Sequence, residues 1–449
     1  MIVRARMGSP LHGSVRLPGD KSVSHRASLL AGMAGGTSRI DGMLQAGVTR
    51  AMLDSLAALG IEWHWEGETL VVMGAGRRGF PKPDSHKTVG AGLVPALHCG
   101  NSATTIRLLA GALAGKPRWS GASKGESYVL DGSSQLRKRP MKRIIEPLRE
   151  MGAEIRSDGD RNFAPIIIKS TALKGIDHRT PVASAQVKTC ILLAGLNASG
   201  STSVEEPSPS RDHTERLLKW LGVRTEVGPN RVRVHPLDAP LPPLALRVPG
   251  DFSSAAFLLV AASIVPGSDV LLRGVGLNPR RTGLLSVLRR MGARIEEVGR
   301  SESSGEPVGD LRVVSAPLAG TAVDGAEVVD MIDEFPVLAV AAACAEGATV
   351  VRGASELRHK ESDRISVLAA ELRGIGAAVE ETADGFSICG GGALRGGRGD
   401  AHGDHRLAMS LAVAGLASKD GVEVDGAECI AESFPDFLPL LGSLGASIG

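Results

Sequence analysis

Arg16-Leu17-Pro18-Gly19-Asp20-Lys21-Ser22-Val23-Ser24-His25-Arg26 is the stretch around which the chain is organised, and its first five residues have a near copy at Arg247-Val248-Pro249-Gly250-Asp251. Pro-Gly ends a preceding strand, because proline withholds a donor and glycine permits a sharp turn. Asp20 or Ser22 then caps a helix whose apolar face begins at Ala27, Leu29, Leu30 and Met33. Lys21, Ser22, Ser24 and Arg26 fall in or just before its first turn, where free N–H groups and the positive dipole end favour an anion. The plain alternative for this stretch alone is a capped surface helix with solvated charges.

Outward from it, two patterns recur. Leu-x-x-(Leu/Met/Ile)-Gly ends at Gly60, Gly152, Gly222, Gly292, Gly376 and Gly445, each time followed by a short alternating segment. A helix carrying the leucine, a glycine stop and an immediate strand explain this pattern. Between these copies, Ala/Leu-rich helices begin near Ser22, Asn101, Ser184, Ser253, Glu334 and His405. They lead to turns at Gly35-Gly36-Thr37, Gly115, Gly200-Ser201-Thr202, Gly267, Gly347-Ala348-Thr349 and Gly421. The repeat is therefore roughly 70–80 residues long, too large for the familiar solenoids. Ala255-Ala-Phe-Leu-Leu-Val-Ala-Ala and Leu338-Ala-Val-Ala-Ala-Ala have no strong polar face, so such helices are buried on most sides. The expectation is an α/β (α+β) architecture with helices inside a ring of sheets, the opposite of a TIM barrel. The duplicated Arg-x-Pro-Gly-Asp and the proline-rich Pro240-Leu-Pro-Pro-Leu divide it into residues 20–245 and residues 1–19 plus 246–449, three repeats in each. The chain would cross twice, as at a hinge beside a cleft.

A chain of 449 residues has ample length for two cores, and with aromatics at 3% these are built of Ala, Leu, Val and Ile. A formal charge of +2 supplies no global field for nucleic acid or an anionic membrane, so any anion preference is local. Cys99, Cys190, Cys344, Cys389 and Cys429 lie far apart with no C-x-x-C, which fits reduced, mostly buried thiols rather than disulfides or zinc. No signal peptide is visible at the N-terminus, and the runs Ala255–Val265 and Val337–Ala343 are too short to span a bilayer. A soluble cytoplasmic protein is expected, with no membrane or nucleic-acid partner.

Charged groups cluster at the helix starts. Arg107 follows Asn101-Ser102-Ala103-Thr104, and Arg137-Lys138-Arg139 precedes the helix at Met141–Met151. Ser184-Ala185-Gln186 and Arg211-Asp212-His213-Thr214-Glu215 open two further helices. Lys360-Glu361-Ser362-Asp363-Arg364 and Asp404-His405-Arg406 do so in the second half, and Asp333-Glu334 precedes the most apolar helix. A solvated face or a structural ion pair explains any one of these cations. The set, if the N-termini share a direction, converges on small polyanionic molecules held by Arg forks and Lys point charges. Asp333 and Glu361 are placed to take one proton and give another, while Asp363 and Asp404 orient neighbouring arginines. Gly74-Ala75-Gly76-Arg77-Arg78-Gly79 matches G-x-G-x-x-G, but Phe80-Pro81-Lys82-Pro83 forbids the helix a dinucleotide needs, so it reads as a turn.

Together these motifs resemble the 5-enolpyruvylshikimate-3-phosphate synthase family. The matching segments are Leu17–Arg26, Gly100–Thr104 with Arg107, Lys138–Met141, Ala183–Lys188, Arg211–Glu215, Ile332–Phe335, Lys360–Arg364, Asp404–Arg406 and Ser433–Pro435, in family order over essentially the whole chain. The resemblance implies two domains of three βαβαββ units in an inside-out α/β barrel, joined by a double-crossover hinge that closes on substrate. It implies transfer of the enolpyruvyl group of phosphoenolpyruvate to the 5-hydroxyl of shikimate 3-phosphate, with phosphate released and no metal or other cofactor. Lys21, Ser22 and Arg26 would contact shikimate 3-phosphate, and Lys21 would also reach phosphoenolpyruvate. Ser184, Gln186 and Arg211 would hold the shikimate phosphate and ring, with Ala185, Asn101, Ala103 and Arg107 also lining the substrate sites. Arg139, Arg364 and Arg406, with Lys360 nearby, would hold phosphoenolpyruvate. Asp333 would act as base on the 5-hydroxyl, and Glu361 would pass a proton to and from the methylene carbon. The protein is expected to be a monomer.

Three positions stand apart within the resemblance. Leu44-Gln45-Ala46-Gly47-Val48 has no acid where many members have adjacent acids, and Glu432 stands where many have lysine. Ala103 stands where glyphosate-sensitive members have glycine, as in the tolerant bacterial forms, which implies weak inhibition by glyphosate. The missing acids leave open an enolpyruvyl transferase acting on another acceptor, or an inactive homologue that only binds.

Overall fold

The computed structural model describes residues 1–80, 96–117, 126–157, 159 and 162–449. Its described residues form two compact units, Met1–Pro18 with Pro249–Glu302 and Glu306–Gly449, and Gly19–Val248 with Ser303–Gly305. Strand Ala245–Arg247 pairs in parallel with Gly35–Asp41, so it lies wholly within the second of these rather than being cut at Leu246.

Among the described residues the first unit holds three four-stranded sheets, and so does the second, which adds a two-stranded ribbon. In each four-stranded sheet an edge strand runs parallel to its neighbour, and that neighbour runs antiparallel to the third. In the first unit, for example, His12–Arg16 runs parallel to Asp269–Gly276, which is antiparallel to Glu306–Val314. Repetition of one mixed topology is what the repeated sequence pattern encodes.

Two kinds of helix alternate along the chain. Helices Phe252–Ile264, Phe335–Ala343 and His405–Gly415 pack against one another within the first unit, and every residue of the last two is buried. They carry no polar face, so only a wholly protein environment satisfies them. Helices Lys21–Met33, Ala103–Ala114 and Ala185–Gly195 occupy the same place in the second unit. Gly111 lets the second and third of these close up, because a Cβ there would stand 2.1 Å from the Cys190 carbonyl oxygen. The other kind is amphipathic: Lys142–Glu150 buries Ile144, Ile145, Pro147 and Leu148 while Lys142, Glu146 and Glu150 face water.

The glycines that end the amphipathic helices have positive φ in all six copies, at Gly60, Gly152, Gly222, Gly292, Gly376 and Gly445. A residue with a Cβ enters this region only at a cost, which is why the stop is written as glycine each time. Among the turns after the buried helices, Gly115 departs from the pattern with an extended backbone at φ −101. Its constraint is packing, since a Cβ there would stand 2.8 Å from the Asn197 side chain.

The decoy Gly74–Gly79 lies at the end of strand Thr69–Ala75 and in the 3-10 turn Gly76–Arg78, while Pro81-Lys82-Pro83 lies outside the described residues. Cys99, Cys190 and Cys429 are buried, Cys344 is half-buried and Cys389 is exposed, so burial of the thiols is incomplete. No helix among the described residues is long and apolar enough to cross a membrane.

Candidate active site

Arg364 is the hub of the first unit's charged cluster. It opens helix Arg364–Gly374, and its side chain is 2% exposed. Its Nε donates to Asp404 Oδ2 at 2.7 Å, and its Nη2 donates to Asp404 Oδ1 at 3.2 Å and Glu361 Oε2 at 2.6 Å. Its Nη1 reaches Asp333 Oδ1 at 3.5 Å. Burial alone would pull this guanidinium's pKa down, but Asp404 and then Glu361 outweigh it and push it further above its ordinary value. Asp404 shows the reciprocal effect, since Arg364 holds it below the usual carboxylate range despite burial.

Local sequence explains how these groups are held. Asp404 caps helix His405–Gly415 by accepting the Arg406 N–H at 2.9 Å, and it also accepts the Ser362 hydroxyl at 3.1 Å. Asp363 caps helix Arg364–Gly374 and takes Arg358 at 2.8 Å. Arg358 in turn donates to the Thr382 and Ala383 carbonyls, which pins the loop carrying Lys360 and Glu361 to strand Ala378–Thr382 and the turn after it. Both aspartates therefore orient arginines, but the arginine held by Asp363 is Arg358.

Asp333 lies in the turn before helix Phe335–Ala343 and faces three cations: Lys360 Nζ at 3.3 Å, Arg364 Nη1 at 3.5 Å and Arg406 Nη2 at 4.0 Å. Exposure separates the roles. Arg364 and Asp404 are sealed, whereas the Asp333, Lys360 and Glu361 side chains are 17%, 24% and 25% exposed and so can meet a ligand. The arrangement offers two accessible carboxylates fixed on one buried arginine, with further cations for an anion.

In the second unit the starts of the three buried helices are tied together pairwise. His25 joins the first two, with Nε2 3.1 Å from the Ser102 hydroxyl that caps helix Ala103–Ala114. Its Nδ1 lies 2.7 Å from the Lys21 carbonyl, and burial drives its pKa down to about 4. Gln186 joins the second helix to the third, accepting from Arg107 Nη1 and donating to Thr104 Oγ1 at 2.9 Å. Arg26 joins the first to the third, donating to Thr189 Oγ1 at 2.7 Å and the Ala185 carbonyl at 3.4 Å. It also donates to Thr214 Oγ1 at 2.7 Å and the Ser22 carbonyl at 2.9 Å.

Three helix N-termini thus meet at one place, and their dipoles add. Lys21, Ser22, Asn101, Arg107, Ser184, Ala185, Gln186 and Arg211 are half-buried there or beside it, while Ala103 and Arg26 are buried. Asp20 caps the first helix, accepting the Val23 N–H at 2.9 Å, and Ser184 caps the third. Asp212 stands at the N-cap of helix His213–Trp220 without capping it, because its carboxylate is taken by Arg216 at 2.9 Å. Arg139 is half-buried just after the 3-10 turn Leu136–Lys138, and Asn101 bonds Gln135 at 2.7 Å. A cavity lined by Met33, Phe80, Leu113, Tyr128 and Leu241 opens at the other, C-terminal ends of these helices and includes none of the expected site residues.

Sequence reasoning singled out neither His25 nor Arg281 as a holder of the site. Arg281 is fully buried, with Nη2 2.8 Å from Asp251 and 3.0 Å from Ser253, whose hydroxyl donates to Glu334. The duplicated Asp20/Asp251 was the available signal, since both cap the first buried helix of their unit. Among the described residues no group of His, Cys, Asp or Glu is arranged to hold a metal ion.

Comparison with known proteins gives one answer. Residues 5–441 match the family EPSP synthase (3-phosphoshikimate 1-carboxyvinyltransferase). A 3-phosphoshikimate 1-carboxyvinyltransferase of Geobacter sulfurreducens is 47% identical over 96% of this chain and 96% of its own length. That of Xanthomonas euvesicatoria is 49% identical over 98% and 96%. The solved EPSP synthase of Acinetobacter baumannii superposes with a TM-score of 0.87 at 39% identity, covering 100% of this chain and 99% of that one. The inside-out α/β architecture is therefore a shared one, and the chain belongs to the EPSP synthase family.

Proposed function

We propose that this protein transfers the enolpyruvyl group of phosphoenolpyruvate to the 5-hydroxyl of shikimate 3-phosphate and releases phosphate, a transferase step of aromatic amino-acid biosynthesis. The observation that carries the reading is the pair of accessible carboxylates, Asp333 and Glu361, both fixed on buried Arg364. Addition of a hydroxyl across an enol phosphate needs a proton removed from oxygen and one delivered to carbon; elimination of phosphate, with a proton taken back from that carbon, then returns the methylene. Asp333 takes the hydroxyl proton and Glu361 serves the carbon. Lys360 meets the phosphoenolpyruvate anion, with Arg406 and Arg364 enclosed behind it and adding positive charge, so charge is stabilised by fixed cations; Lys21 and Arg139 are the corresponding cations of the second unit. Ser22, Arg26, Ser184, Gln186 and Arg211 hold shikimate 3-phosphate, whose dianion suits three converging helix N-termini. Asn101, Ala103, Arg107 and Ala185 complete these surfaces.

The deciding experiment is phosphate release from purified protein given both substrates, beside Asp333→Asn and Glu361→Gln. Wild-type release with turnover reduced at least about a hundredfold in each variant supports the assignment, the usual scale for a positioned acid or base. Wild-type protein that binds shikimate 3-phosphate yet releases no phosphate would overturn it. Ala103 supports a further reading: it is buried at the first position of helix Ala103–Ala114, where its methyl crowds glyphosate more than the smaller phosphoenolpyruvate, so inhibition by glyphosate is weak. A cytoplasmic location and a monomeric state are part of the same proposal.

A further inference from the structure

Lys188 is a buried cation of the second unit held between two carboxylates, and no step of the proposed chemistry uses it. It lies in the buried helix Ala185–Gly195, 5% exposed, with Nζ 2.9 Å from Glu206 Oε2 and 2.7 Å from Glu215 Oε1. Both glutamate side chains are equally enclosed, at 3% and 5% exposed. A buried ion triad is poor value as stability alone, because desolvation takes back most of the attraction and apolar residues of like volume serve as well. What the triad touches suggests another use.

Glu206 Oε1 accepts the Ser184 N–H at 2.9 Å, and the Glu206 carboxylate also accepts the Ser210 N–H at 3.2 Å and the Ser210 hydroxyl at 2.7 Å. Lys188 Nζ donates to the Ser210 carbonyl at 3.2 Å, which belongs to the peptide leading into Arg211. Glu215 sits one residue after Thr214, whose hydroxyl receives Arg26 Nε and lies 2.6 Å from Thr189 Oγ1. Ser184, Arg211 and Arg26 are therefore each a bond or a peptide away from one buried cluster.

We propose that Lys188, Glu206 and Glu215 are positioning residues for the shikimate 3-phosphate end of the site, fixing the backbone at Ser184 and Ser210–Arg211 and the Thr214 partner of Arg26 in the geometry that receives the phosphate. The inference rests on the function proposed above. A rigid cluster matters because displacement of a binding group by about 1 Å is enough to cost about a hundredfold. Substrate that meets a preset cradle does not have to order it.

The test measures KM for each substrate and the dissociation constant of shikimate 3-phosphate. It compares wild type, Glu206→Gln, Ser210→Ala and the apolar triple variant Lys188→Met/Glu206→Met/Glu215→Leu. Glu206→Gln is expected to raise KM and Kd for shikimate 3-phosphate about tenfold or more, while KM for phosphoenolpyruvate stays within twofold. The triple variant recovers thermal stability but not shikimate 3-phosphate affinity, which separates positioning from mere structure. Ser210→Ala leaves the ion triad intact and removes only one hydroxyl, so it reads the effect even if the others do not fold; a rise of about threefold is expected. Unchanged shikimate 3-phosphate affinity in Ser210→Ala, or its recovery in the triple variant, overturns the inference. Wild-type protein that neither binds nor turns over shikimate 3-phosphate overturns the function instead.

Discussion

Replacing Asp404 by asparagine removes one charge and almost no volume from the most enclosed ion pair of the first unit. The Asp404 side chain is 0% exposed, and its two oxygens accept from Arg364 at 2.7 and 3.2 Å. At an effective dielectric near 20 and a charge separation of about 4 Å, the attraction is about 4 kcal/mol. Losing one partner of such a pair typically costs about 3–5 kcal/mol, because the other charge stays buried. Glu361 and Asp333 still face Arg364 in the variant, so the lower part of that range applies, about 3 kcal/mol. The measurement is a double-mutant cycle with Arg364→Met, read by guanidinium unfolding of wild type, both single variants and the double variant. A coupling energy of about 3 kcal/mol is expected, nearly unchanged by salt, since Debye screening does not reach a sealed pair. Turnover should fall in Asp404→Asn as well, since the amide N–H₂ would face guanidinium donors and release the arginine that anchors Asp333 and Glu361. A coupling below about 0.5 kcal/mol, or full turnover in a folded Asp404→Asn, would refute the view that Arg364 is fixed from behind by Asp404.

His25 supplies an acid-sensitive element: burial holds its folded pKa at about 4, below the ordinary histidine value of 6.5, so the unfolded chain binds the extra proton first. Its contribution is complete above pH 6.5 and is lost as pH falls toward 4, in total about 3 kcal/mol; urea unfolding at pH 7.5 and 4.5 should show a smaller acid loss in His25→Asn than in wild type, and equal losses would count against a buried neutral imidazole. Gly111→Ala should destabilise the second unit by about 1–3 kcal/mol, since its Cβ meets the Cys190 carbonyl, whereas Gly374→Ala, with nothing within 4 Å, should stabilise by roughly 0.5–1 kcal/mol. Thermal melts that rank the two variants the other way would contradict the packing described. Ala103→Gly should lower the glyphosate inhibition constant at least about tenfold with KM for phosphoenolpyruvate nearly constant; an unchanged constant, or submicromolar inhibition of the wild type, would remove the steric explanation.

The sequence was most legible where one local property decides the outcome. Helices such as Phe335–Ala343 are apolar on every side, and the αL glycine after each amphipathic helix admits few substitutes, so the repeats could be read without partners. Caps were legible for the same reason, at Asp20, Ser184 and Asp404. Pairing was not. Asp363 adjoins Arg364 in sequence, yet Arg364 is held by Asp404, 40 residues on, while Asp363 holds Arg358. Asp212 stands at a cap position but goes to Arg216. Lys188 looked like a residue of a motif and is the centre of a triad whose acids lie 18 and 27 positions later. Such choices depend on which helix starts the fold brings side by side, and no periodicity in the chain reports that.

The two units share a topology but set the charge at their helix starts differently, and the difference fits the two halves of the chemistry. In the first unit the buried helices Phe252–Ile264 and His405–Gly415 are capped by Asp251 and Asp404, and each cap also binds a sealed arginine, Arg281 or Arg364. Acid and cation neutralise each other below the surface. What remains accessible is Asp333 and Glu361 beside Lys360, the set that the proposed function uses for proton transfer and anion binding. In the second unit two of the three caps are the hydroxyls of Ser102 and Ser184, which satisfy N–H groups without cancelling the dipole. Two acids beside these helix starts, Glu206 and Glu215, are neutralised by Lys188. Leu44-Gln45-Ala46, with Gln45 exposed, extends that bias by leaving the segment just before helix Gly47–Ala58 uncharged. From the same repeated strand and helix plan, one unit thus gathers uncancelled helix N-termini and the other leaves accessible carboxylates beside a lysine, the division that the proposed transfer calls for.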